Sequence, residues 1–69
     1  MFYTHFFMEI KRYELSKEFN RNQAIYILHM IDGQSVEQIA EMFNLATEEI
    51  KNILELHKKY EAAVVKRYS

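Results

Sequence analysis

The sequence predicts a small all-α domain, and three observations carry that prediction. Proline is absent and the one glycine is Gly33, so little in the 69 residues interrupts a helix. Apolar residues recur at spacings of three and four from Ala24 to Val64. Ser35 followed by Gln38 has the form of a capping box, in which the hydroxyl accepts from the third backbone N–H of a helix and the amide reaches back to the cap.

Taken in order, the first segment, residues 1–21, is an aromatic stretch that begins "MFYTHFFMEIKRYELSKEF". Alternation sets Phe2, Phe6, Met8 and Ile10 on one face of a strand, and aromatic propensity favours a strand through Phe7. Helical spacing instead links Phe2 to Phe6, and Tyr3 to Phe7 and Ile10. Good helix formers from Glu9 to Glu18, with no turn signal, tilt the segment toward a helix. A helix or a short strand therefore both remain open for residues 1–10.

Asn22 is placed to cap a second helix whose stripe is Ala24, Ile25, Ile27, Leu28 and Ile31, and Asp32-Gly33 ends it. From Ser35 a third helix turns Val36, Ile39, Ala40 and Phe43 inward and leaves Glu37, Gln38 and Glu41 outside. Asn44, which tolerates the left-handed region, ends that helix. Thr47 is read as the next cap, with Glu48 and Glu49 in the first turn, where the backbone dipole favours negative charge. Ile50, Ile53, Leu54, Leu56, His57, Tyr60, Ala63 and Val64 then continue without a breaker into the sixties. Met30 and Met42 read as core filler. The whole forms one domain, with a core over 22–60 and a basic helix end over 61–69.

Charge is unevenly spread around a net value of −1. Residues 1–31 carry a net +1 and residues 32–56 a net −5, because only Lys51 opposes Asp32, Glu37, Glu41, Glu48, Glu49 and Glu55. Residues 57–69 carry +3 from Lys58, Lys59, Lys66 and Arg67 against Glu61. Phosphate affinity, if present, belongs to the tail more than to the middle.

Cysteine is absent, which excludes a disulfide framework and a thiolate zinc site. His5, His29 and His57 lack metal-ligand spacing, so neither a metal nor a cofactor is expected. Glu48 and Glu49 are adjacent and do not face one another on a helix, and no nucleophile and base complete a site, so no enzyme is expected. The longest apolar run, residues 24–31, is far below the roughly 20 residues of a membrane span. With no basic region or small-residue cleavage site at the N-terminus, a cytoplasmic protein is expected.

The stretch "IDGQSVEQIAEMFNL" followed by "TEEIKNIL" resembles the helix-turn-helix of the promoter-reading C-terminal domain of bacterial sigma factors and of related response-regulator output domains. The resemblance spans residues 24–60. It implies that Ala40 lies where two helices cross, Asn44 takes the turn, Leu45 is buried after it and Ile50 anchors the following helix. A small residue at the crossing, a left-handed residue in the bend and apolar pins on either side are also what a tight helix pair needs. The implied function is a dimeric DNA-binding transcription regulator, with Thr47, Lys51, Asn52, Glu55, Lys58 and Lys59 toward DNA. Where that family commonly has Arg or Lys, this chain has Ile53 and Leu56. Packing against the N-terminal aromatic segment or another subunit accounts for both, and with Phe2, Phe6 and Phe7 they also suggest a second function, a protein-interaction module that docks on a transcription component or regulator.

Overall fold

The computed structural model describes residues 2–68, with side-chain surroundings for residues 8–65. Four helices follow one another: α1 (Phe2–Glu14), α2 (Phe19–Met30), α3 (Val36–Phe43) and α4 (Thr47–Tyr68). The described residues contain no strand, so the N-terminal aromatic segment is helical from Phe2.

That first helix stops earlier than its good helix formers suggest. Ser16 donates to the Tyr13 carbonyl twice, from its N–H at 3.0 Å and from its hydroxyl at 2.7 Å. A serine that binds nearby backbone in this way competes with the helical ladder, and the chain turns over 15–18. Helix α2 then begins at Phe19, three residues before the expected cap. Asn22 is not a cap at all: its N–H donates to the Glu18 carbonyl at 2.8 Å and its side chain, 2% exposed, points into the protein.

Starting α2 earlier also rotates its buried face. Ile25 is fully buried and Leu28 packs beside it, whereas Ala24, Ile27 and Ile31 face solvent. Met30 and Met42, expected in the core, are more than half exposed. The end of α2 is tied back by Asp32 N–H on the Ile27 carbonyl and Gln34 N–H on the Leu28 carbonyl, with Gly33 at φ +72° in the bend. His29 secures the same linker, since its Nδ1 can only donate to the Gln34 carbonyl, 2.8 Å away.

The capping box at α3 forms as expected. Gln38 N–H donates to the Ser35 hydroxyl at 3.1 Å, and Ser35 N–H donates to Gln38 Oε1 at 3.0 Å. Ile39 and Ala40 are buried, Val36 and Phe43 partly so, and Glu37, Gln38 and Glu41 are exposed. Asn44 ends α3 in the left-handed region, at φ 56° and ψ 47°. Its neighbour Leu45 donates to the Ala40 carbonyl at 2.9 Å, so the bend leaves that carbonyl satisfied. The next helix starts at the expected cap itself, one residue early: Ile50 N–H donates to the Ala46 carbonyl, putting Thr47 inside the first turn.

Helices α2, α3 and α4 enclose one core of Ile25, Ile39, Ala40, Ile50 and Ile53, flanked by Leu28, Val36, Phe43, Leu45 and Leu54. These residues occupy only the first half of α4. At about 1.5 Å per residue, that 22-residue helix runs on well past them. Over its second half, α1 supplies Ile10 and Tyr13 as cover.

Candidate nucleic-acid interface

Thr47, Lys51, Asn52, Glu55, Lys58 and Lys59 are all exposed on α4. At about 100° per residue they fall within an arc of about 140° on the side opposite Ile50, Ile53 and His57. Glu48 lies in the same arc and pairs with Lys51 at 3.8 Å, both side chains being mostly exposed. Such a pair is worth little in water and leaves Lys51 able to exchange partners. Among the described residues, Lys58 and Lys59 form no ion pair. Three cations against Glu48 and Glu55 give this face a net charge of +1, although the 32–56 stretch is acidic overall. Glu49, on the same helix, lies outside that arc.

The residues suggested for a protein-binding surface do not stay together. Ile53 is 7% exposed and belongs to the core, because it follows Ile50 by three positions on the buried side of α4. It is not available to a partner. Leu56, one position beyond the core stripe, is half-exposed. The side chains of Phe2, Phe6 and Phe7 lie outside the described residues.

Behind this face is a polar cluster that sequence reasoning missed. His57 is completely buried, with Tyr13, Phe19, Tyr26 and Tyr60 around it at ring-centroid distances of 5.0–5.7 Å. Asn22 Nδ2 donates to the Tyr13 hydroxyl at 3.2 Å, and the Glu61 carboxylate, an acceptor only, faces His57 Nε2 and favours the ring proton there, which leaves Nδ1 to accept from the Tyr13 hydroxyl, 2.7 Å away. The imidazole proton is therefore on Nε2, which lies 3.3 Å from Glu61 Oε1 but off the line a hydrogen bond requires. At the other end, Arg21 Nε donates to Asn22 Oδ1 at 3.2 Å. A second link ties α1 to α4, as the Tyr60 hydroxyl donates to Glu14 Oε2 at 2.6 Å.

Burial sets the electrostatics here. It lowers the pKa of His57 against the opposing pull of Glu61, and it raises that of Tyr13. Tyr60 is pushed up to about 12, by burial first and then by its bond to Glu14 and the nearby carboxylates. All three side chains are thus held neutral near pH 7. They form a structural junction closed to solvent at His57. Among the described residues no three His, Asp or Glu side chains gather as metal ligands, and no helix is long and apolar enough to cross a membrane.

No signal in the sequence could have assembled this junction. Tyr13 and His57 are 44 positions apart, and in the apolar run of α4 a histidine reads as one more core-facing residue. No family model, curated protein or solved structure matches the chain.

Proposed function

We propose that the chain is a small DNA-binding domain of the helix-turn-helix kind, in which α4 lies against the duplex and α3 braces it. One observation carries this reading: the bend at Asn44, closed over a buried Ala40, leaves Lys51, Asn52, Glu55, Lys58 and Lys59 on one open face of α4. Asn52 has the side chain for a bidentate contact with adenine, and the three lysines reach phosphate. Net charge on the face is low, so the affinity is modest and strongly salt-dependent.

Fluorescence anisotropy with mixed-sequence duplex DNA at low salt tests the proposal. Three phosphate contacts give a slope of log K against log salt of about −3. Lys58→Gln and Lys59→Gln each flatten that slope by about 1, alike for every sequence. An absence of binding at tens of micromolar protein sinks the reading, since ordinary non-specific DNA affinities reach about 10⁻⁴–10⁻⁶ M even at physiological salt.

A second reading, a module that binds a transcription protein, draws support from half-exposed Leu56 and from exposed Met30, Ile31 and Met42. Under it, Leu56→Ser weakens capture of the partner and leaves DNA affinity unaltered. DNA binding that Leu56→Ser does not touch, together with no specific partner recovered from cell extract, argues for the first reading.

A further inference from the structure

Between the turn at 15–18 and the flank of α4 lies a cleft of about 340 Å³, within the range of about 300–1,000 Å³ that ligand sites occupy. Its floor is apolar, made by Ile53 and Leu56, and its walls carry Arg21, Asn52 and Glu18. Arg21 is half-buried, and its Nε is committed to the side chain of Asn22, itself 2% exposed and held in turn by Tyr13. The guanidinium is thus anchored by a neutral amide instead of a carboxylate. Among the described residues it forms no ion pair, and the Asn52 side chain across the cleft makes no hydrogen bond.

An arginine fixed at Nε keeps its two terminal nitrogens, and their four N–H donors, for something outside the protein. The amide of Asn52 adds donors from a different direction. A carboxylate takes such bonds in a single plane, whereas the tetrahedral oxygens of a phosphate accept from both walls at once. Asn52 also belongs to the exposed arc of α4, so the cleft opens onto the face that carries Lys51 and Lys59.

We propose that the Arg21–Asn52 cleft holds one phosphate of a nucleic-acid strand lying along α4, with Asn52 facing that phosphate in place of an adenine edge. The proposal rests on the DNA-binding reading and adds to it a contact from α2, outside the turn motif. Glu18 also lines the cleft, and its carboxylate opposes the phosphate that Arg21 attracts.

The test is DNA anisotropy on the full chain with Arg21→Gln and, on the opposite wall, Asn52→Ala. Circular dichroism checks that each variant folds. The expected result is a several-fold loss of affinity for both, with Arg21→Gln flattening the salt slope by about 1 for every sequence tried. If Lys58→Gln and Lys59→Gln weaken binding while Arg21→Gln leaves affinity and slope unchanged, the cleft assignment is overturned and the DNA reading stands. No DNA binding by the wild-type chain overturns both. Two further probes separate the sources of the anion, inorganic phosphate at constant ionic strength and a short acidic peptide, each followed through the Arg21 Nε–H and Asn52 amide resonances. Saturable shifts with phosphate that DNA fails to reproduce assign the cleft to a free anion and overturn the strand contact. Tighter binding of the peptide than of DNA assigns it to a carboxylate and does the same.

Discussion

Two side chains at the ends of α3 do most to define the bend that the functional proposal needs. Asn44 holds φ 56°, a region that costs an ordinary L-residue about 1–2 kcal/mol, and Ser35 closes a reciprocal pair of bonds with Gln38. Asn44→Ala is expected to lower stability by about 1 kcal/mol and Asn44→Gly to preserve it, while Ser35→Ala costs about 1 kcal/mol. Urea denaturation curves check all three, and equal effects of Ala and Gly at position 44 would mean that its conformation is not the cause. Both residues were legible in the sequence because the physics is local: a cap or a left-handed bend involves groups three or four positions apart. Asn22 shows where such reasoning fails. Its type suits a cap equally well, but its neighbours Tyr13 and Arg21 claim its side chain from within the fold.

Helix α1 stands apart from the other three elements. Tyr13 and Glu14 each hydrogen-bond a side chain of α4, Tyr13 also accepts from Asn22 of α2, and Ile10 is buried beside them. Removing the Tyr13 hydroxyl leaves Asn22 Nδ2 and His57 Nδ1 without that partner, a loss of about 1–3 kcal/mol for buried groups. Tyr13→Phe keeps the ring contacts with Phe19 and Tyr60, so the loss falls on the attachment of α1 and not on the core. The expected outcome is faster tryptic cleavage at exposed Lys17, in the turn before α2, with amide protection in α3 and early α4 unchanged. Uniform loss of protection throughout the chain would show that α1 and the core unfold as a unit. Element boundaries were legible where caps mark them, at Gly33, Ser35 and Asn44. The stop at Glu14 was not, because it depends on a serine whose hydroxyl turns back to the Tyr13 carbonyl, and serine is tolerated inside helices too.

At the scale of the whole molecule, five buried side chains form the central cluster among the described residues, and 69 residues imply a total stability of about 3–10 kcal/mol. Ile39→Ala, at about 2–5 kcal/mol, therefore removes a large part of it. Against so small a total, one buried titratable group is visible in the pH dependence. His57 is faced by Tyr13 from α1, by Phe19 and Tyr26 from α2, and by Tyr60 and Glu61 on its own helix. Burial depresses its folded pKa below the ordinary value of about 6.5, so between those two values the unfolded chain binds the proton and the folded chain does not. Stability is complete above about pH 6.5 and falls as pH drops toward the folded pKa, at no more than about 1.4 kcal/mol per pH unit from this group. Acid also strips Nδ1 of its role as acceptor for the Tyr13 hydroxyl, so the destabilisation begins at the α1 junction. Thermal melts between pH 5 and 8 should show a falling Tm on the acid side, and His57→Gln should flatten the part of the profile nearest pH 6. Glu61 acts in the opposite sense, favouring the charged ring, so Glu61→Gln should leave the onset near pH 6.5 and carry the fall further into the acid range, for a larger total loss. A profile identical in wild type and His57→Gln would place the titration elsewhere in the molecule and remove His57 from the account of its stability.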